Sequence, residues 1–187
     1  MAKDRLGPID MLHMTPAQQA AAKAIIDGPR GAVYGPFVPL LRSPELMDHA
    51  QRLGEYLRYR SALGTRLSEL AILVTARQWD QQVEWAIHAP VAAQAGISAA
   101  TIEDIAYSRR PAGMSEEEAA VYDFSRELNR HQRVSDPTYA RALALFGERG
   151  VVDLMAINGY YTFLAMLMNA AQTAAPPSTV ARLPERQ

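Results

Sequence analysis

The chain has 187 residues, 19 Lys plus Arg against 20 Asp plus Glu, and a formal net charge of −1. That length suits one domain with a substantial core, and the balanced charge gives no electrostatic reason to bind nucleic acid or an anionic membrane. The lack of any cysteine excludes disulfides, thiolate-held zinc, iron–sulfur clusters and thiol redox, leaving acid–base groups, dipoles and shape for any chemistry.

Residues 1–20 are polar and interrupted by Pro8 and Pro16, unlike a signal peptide, so a soluble cytoplasmic protein is expected. Thr15-Pro16 reads as a cap followed by a first-turn proline, opening a helix that runs to Ile26. Gly28-Pro29-Arg30-Gly31 stops it. From there to Pro44 the glycines and prolines forbid regular helix or central strand. Tyr34, Phe37, Val38 and Leu40 make the same segment too apolar for a solvated linker. An irregular apolar loop of this kind covers a core or lines a pocket.

Ser43-Pro44 repeats the cap-plus-proline signal and starts a helix through about Arg60. After Gly64-Thr65 comes the longest helical stretch, residues 66–96, whose first half is too apolar for a surface helix. A turn near Trp79 divides it, with Asp80 as the expected cap of the second half, which ends at Gly96. Ser98 caps a short helix to Ala106. Ser115 with Glu118 forms a capping-box pattern opening a helix to about Asn129, and Ser135-Asp136-Pro137 starts another that stops at Gly147. The last helix, from Val151, is apolar on most sides. Asp153, Asn158, Gly159 and Asn169 interrupt it and no basic flank sets an orientation, so it reads as a helix buried on several faces, some supplied by other subunits, rather than a membrane span. Beyond Pro176-Pro177 an extended tail is expected. The pattern predicts an all-α single domain without strands or repeats.

Chemistry concentrates in the middle of the chain. Gln81, Glu84 and His88 are spaced i, i+3, i+7 along one helical face. A carboxylate at i−4 fixes an imidazole tautomer and raises its pKa, and Glu69 lies one helix-length upstream, in a run able to pack alongside. Trp85 and Ile87 flank the pair, so this helix is not simply solvent-facing, and Pro90 is expected to kink it just past His88. The histidines, His13, His49, His88 and His131, fall in four segments without a metal-ligating pair. No Gly-x-Ser-x-Gly, dinucleotide fingerprint or phosphate loop occurs, so a cofactor-free, metal-free site is expected. For an acidic substrate, Arg42, Arg66 and Arg77 are the candidate carboxylate holders. Tyr34, Phe37, Trp79, Trp85, Tyr160 and Tyr161 are expected to be mostly core, with two or three of them walling a pocket, Tyr34, Phe37 and Trp85 foremost.

These residues resemble the carboxymuconolactone decarboxylase family, the all-helical group that includes the alkylhydroperoxidase AhpD. The likeness spans roughly residues 35–177 and rests on Arg66-x-x-Glu69-Leu-Ala-Ile, Glu84-Trp-Ala-Ile-His88, Ala92 and Gly96. Glu69 and His88 match the family's glutamate and histidine, whereas Gln81 and Glu84 stand where the peroxidase branch has its two cysteines. Without thiols the peroxidase function cannot operate. The resemblance thus implies an AhpD-like helical bundle. Residues 1–43 would supply an N-terminal helix and pocket-covering loop, 44–177 the family-like domain, and 178–187 a tail.

It also implies homotrimers or homohexamers and a cofactor-independent lyase acting on a small carboxylated lactone of the 4-carboxymuconolactone type in aromatic breakdown. In that reading His88 is the acid, oriented by Glu69 or Glu84. Gln81 or Tyr34 stabilises the oxyanion, and Arg42, Arg66 or Arg77 holds carboxylate. A hydrolase or isomerase on the same scaffold, or a non-catalytic binding protein, are the alternatives.

Overall fold

Capping residues set the helix boundaries. The structure, a computed structural model describing residues 4–175 and 182–185, is all-α, with eight helices and no strand among the described residues. They are α1 (Pro16–Ile26), α2 (Phe37–Leu40), α3 (Pro44–Tyr59), α4 (Gly64–Gln78), α5 (Gln82–Gln94), α6 (Ala99–Ala106), α7 (Glu116–His131) and α8 (Asp136–Ala171). Thr15 with Gln18 and Ser115 with Glu118 close reciprocal capping boxes on α1 and α7, and Ser98 accepts from Thr101 N at the start of α6. Such caps occupy backbone N–H groups that the first helical turn leaves without partners.

The details of some element boundaries differ from expectation. The irregular segment before Pro44 contains one helical turn, α2, within which Pro39 is accommodated. Met11–His13 forms a short 3-10 turn. The cap of α5 is Gln81, whose Oε1 accepts from Val83 N at 2.7 Å, while Asp80 sits one residue earlier in a left-handed conformation at φ 49. Pro90 lies inside α5, which continues to Gln94. The expected stop at Gly147 is present: the backbone there leaves the helix, with φ 65 and ψ 177, so α8 consists of two helical halves meeting at a kink that glycine adopts without a Cβ penalty. The tail expectation falls partly on residues 176–181 and 186–187, outside the described residues.

The centre of the bundle is α4, buried from Leu67 to Arg77 and packed against α5, α7 and α8. Leu70, Ala71, Ile72 and Leu73 touch essentially no solvent. Each large aliphatic among them is worth roughly 1.5–3 kcal/mol in transfer terms. Polar groups in this dry region are paired. Asn158 of α8 donates to Ser125 Oγ at 3.0 Å and accepts from Thr75 and from Asn129 at 3.0 and 2.7 Å. One amide thereby ties α8 to α4 and α7, in keeping with the need to satisfy buried polar groups. Asp153 of α8 accepts from Tyr56 and from Ala62 N, anchoring the α3–α4 connection.

α8 is long and apolar enough to cross a membrane, yet more than half of its most apolar stretch is buried inside the protein. Its opposite side leaves Val152, Met155 and Met166 exposed.

Candidate functional site

The α4–α5 hairpin builds the centre of the site. Glu69 and His88 lie about equally far from the turn at Trp79, so folding α5 back along α4 brings them side by side. His88 Nδ1 and Glu69 Oε2 are 2.7 Å apart. On the other ring nitrogen, Nε2 lies 3.3 Å from Glu84 Oε2, one turn earlier on α5. All three side chains are buried: Glu69 and Glu84 are 2% exposed and His88 3%.

An imidazole held between two carboxylates is protonated. Burial alone lowers its pKa, because a charged ring loses its hydration. The Glu69 charge and hydrogen bond, then the Glu84 contacts, outweigh that effect and raise His88 from 6.5 to about 9. At neutral pH it is therefore an imidazolium with two N–H donors. The proton on Nδ1 is committed to Glu69, whereas the one on Nε2 has the longer, weaker contact. Tyr161 meets the ring edge-on, 5.0 Å between centroids, and Tyr160 stacks edge-on against Tyr161 at 5.3 Å. Burial pushes both phenols up, so each remains an O–H group.

A cavity of about 30 Å³ opens beside Glu84 and His88. Its other walls are Arg30, Tyr34, Pro36 and Phe37 from the covering segment, Arg58 from α3, Ile87 from α5, and Tyr160, Tyr161 and Leu164 from α8. That volume matches one or two water molecules and is far below a typical organic-ligand pocket. Admission of an organic ligand therefore requires the covering segment to move. Among the described residues, five buried side-chain polar atoms lack a hydrogen-bond partner; three belong to residues that line this cavity, Arg58 Nε, Glu84 Oε1 and the Tyr160 hydroxyl. Native interiors rarely leave such groups unpaired.

The structure thus gathers Glu69, Glu84, His88, Tyr34 and Phe37, and disperses the other candidates. Gln81 is occupied structurally, capping α5 and donating to Asn169 Oδ1 at 2.7 Å. Trp85 is buried in the core and does not line the cavity. Arg42 is exposed and donates to the carbonyls of Leu6, Gly7 and Val38. Arg66 pairs with Glu117 and Glu118 at 2.9 and 2.6 Å. Arg77 pairs with Asp80 and donates to Pro184 O, lining a separate groove of about 480 Å³ between α4, α6, α7 and residues 184–185.

The arginines beside His88 are Arg30 and Arg58, which the sequence reading missed. A signal existed: Gly54 lies on the buried stripe of α3 with Met47, Ala50 and Leu57. A Cβ there would come within 2.3 Å of the Tyr160 hydroxyl and 3.0 Å of the Arg30 guanidinium. A glycine on the buried face of a helix marks a close approach, and Arg58 is one turn further along. Among the described residues no group of three or more His, Asp or Glu side chains is arranged to hold a metal ion.

An all-helical bundle whose central hairpin carries a buried Glu–His–Glu triad defines a thiol-free acid–base scaffold. Residues 44–127 match the model of the carboxymuconolactone decarboxylase family. No curated protein matches the chain. Among solved structures, the debrominase Bmp8 in its apo form superposes with a TM-score of 0.73 at 11% identity, covering 94% of this chain and 94% of that one. A Bmp8 variant in complex with 2,3,4-tribromopyrrole gives 0.72 at 11% identity, covering 92% of this chain and 91% of that one. At that identity the likeness is one of fold.

Proposed function

We propose that this protein is a cofactor-free lyase that decarboxylates a small carboxylated lactone of the 4-carboxymuconolactone type, with His88 as the proton donor to carbon. The observation that carries this reading is a buried His88 that lines a cavity, held at Nδ1 by Glu69 at 2.7 Å and only loosely engaged at Nε2 by Glu84 at 3.3 Å. The family match over residues 44–127 supports it, as does the chemistry. When the carbon–carboxylate bond breaks, its electron pair moves through the ring double bond onto the lactone carbonyl oxygen. The substrate is thus its own electron sink. Carbon dioxide leaves, the Nε2 proton of His88 goes to carbon as the enolate collapses, and solvent reprotonates the ring. A positioned general acid contributes on the order of 10²–10⁴-fold, the rest coming from orientation and electrostatic stabilisation of the oxyanion.

The structure also favours one second reading. Glu84 lines the cavity and its Oε1 is unpartnered, as a general base that activates water for lactone hydrolysis would be. Screening butenolide carboxylates for gas release and analysing products separates the two, since only decarboxylation liberates carbon dioxide. His88→Ala, confirmed folded by circular dichroism, is expected to lose at least 100-fold in turnover; full retained activity on a confirmed substrate rules out His88 as the acid. A purely structural triad is the reading that such retention would leave. The same proposal includes assembly into a homotrimer or homohexamer through the apolar stripe of Val152, Met155 and Met166, which light scattering tests directly.

A further inference from the structure

The Arg58 guanidinium makes no hydrogen bond or ion pair to any described residue. Its one marked contact is with the Tyr59 ring, 5.3 Å from the centroid. This is a half-buried cation whose Nε is sealed from solvent. A guanidinium withdrawn from water without an acceptor is disfavoured, and its planar fork matches a carboxylate. Arg30 lines the same cavity from the covering segment. It packs over Phe37 at 4.8 Å and donates to Gln51 at only 3.4 and 3.5 Å, the long limit of a hydrogen bond. Two further residues lining this space carry unpaired buried atoms: Tyr160 its hydroxyl, a donor, and Glu84 its Oε1, an acceptor. Glu84 lines this space and Glu69 holds the far side of His88, so an anion is retained only where cations offset them, at the Arg58 and Arg30 side.

We propose that Arg58, joined by Arg30 when the covering segment closes, anchors the carboxylate of a small organic acid, while the Tyr160 hydroxyl donates to a carbonyl oxygen of the same molecule. The ligand class this defines is an oxo-acid or lactone acid with one carboxylate and one carbonyl. Arg30 belongs to the segment that must move for entry, so its bond to the ligand replaces the weak Gln51 contacts and draws the cover shut. Gly54 is the positioning residue, because only the lack of a Cβ lets Tyr160 and Arg30 reach this place together. The inference deepens the lyase reading but depends on it only for the place of the reacting carbon.

The test measures binding apart from turnover. Titration of the wild-type protein with 5-oxo-2,5-dihydrofuran-2-acetate and with its neutral methyl ester, followed by calorimetry and by the NMR signal of the Arg58 side chain, is expected to favour the acid at least tenfold. Arg58→Gln is expected to remove that preference while leaving ester affinity within twofold; Arg58→Lys restores part of it, and Arg30→Gln gives a smaller loss. Tyr160→Phe is expected to weaken acid and ester alike. Equal affinity for acid and ester, no saturable binding of either, or acid binding unchanged in Arg58→Gln would each overturn the anchor. His88→Ala keeps acid binding within a few-fold if the anchor is correct. An active His88→Ala that still prefers the acid would sink the proton-donor assignment and leave the anchor standing.

Discussion

Replacing Glu69 by glutamine removes one negative charge 2.7 Å from His88 Nδ1 while keeping an oxygen able to accept the same hydrogen bond. In the native protein the ring is pushed to about 9, against an ordinary value near 6.5. That difference corresponds to roughly 3 kcal/mol of preferential stabilisation of the imidazolium. Burial works in the opposite direction, so once the Glu69 charge is gone the single contact to Glu84 at 3.3 Å must oppose desolvation by itself. His88 in Glu69→Gln is therefore expected to be neutral near pH 7. The sign of the linkage follows from the folded ring holding its proton more tightly than the unfolded one. The stabilisation is complete below about pH 6.5 and is lost as pH rises toward 9. With a denaturant slope of about 2 kcal/mol/M, the native protein should lose between 1 and 2 M in urea midpoint across that window, and Glu69→Gln should lose much less. Ring-nitrogen NMR titration of His88 checks the protonation state, and urea melts at pH 6, 7.5 and 9 check the linkage. A native His88 that titrates at or below 6.5, or identical pH slopes in both proteins, would refute the account of the triad.

Other perturbations probe the scaffold that holds the site. Asp153→Ala strips acceptors from Tyr56 and from Ala62 N, both tied to α8 through this carboxylate; a destabilisation of about 3 kcal/mol is expected by thermal or urea unfolding, and one under 1 kcal/mol would show that the link is dispensable. Asn158→Leu leaves Thr75, Ser125 and Asn129 short of partners and should cost about 2–4 kcal/mol, with stability unaffected if the amide network contributes nothing net. Gly54→Ala gains about 1 kcal/mol of helix propensity yet drives a methyl into Tyr160, so a net loss of about 1–3 kcal/mol is expected; Tyr160→Phe in the same chain should recover part of it in a double-mutant cycle, and strict additivity would argue against the contact.

The parts of this protein legible in its sequence are those governed by local rules. Thr15, Ser98 and Ser115 cap the helices they announce, because a cap is a contact between residues two or three positions apart. Glu84 and His88 meet because i, i+4 is a helical neighbour distance. Glu69 joins them because two helices of similar length separated by one turn can only fold back in register. The position of Asp80 shows where local reasoning slips. A residue with a good capping side chain precedes α5, but the tight turn needs one more residue, which puts Asp80 at positive φ and hands the cap to Gln81.

Long-range chemistry was illegible for a different reason. Arg42, Arg66 and Arg77 stand out in a sequence by their places at loop and helix ends, and helix ends are where backbone carbonyls and neighbouring acids absorb cations: Arg42 is taken by three carbonyls and Arg66 by two glutamates. A ligand-facing cation must be one that the fold leaves unpaired, and pairing is decided by elements far apart in the chain. Arg58 meets this condition because it projects from α3 toward a space walled by α5 and α8, whose nearby groups are two glutamates already engaged with His88 and two tyrosines that stay protonated. The absence of a partner is thus a property of the whole bundle. Swapping the surface cation Arg66 for glutamine should accordingly perturb only the Glu117 and Glu118 contacts, by less than about 1 kcal/mol. The same change at Arg58 should alter what the protein binds.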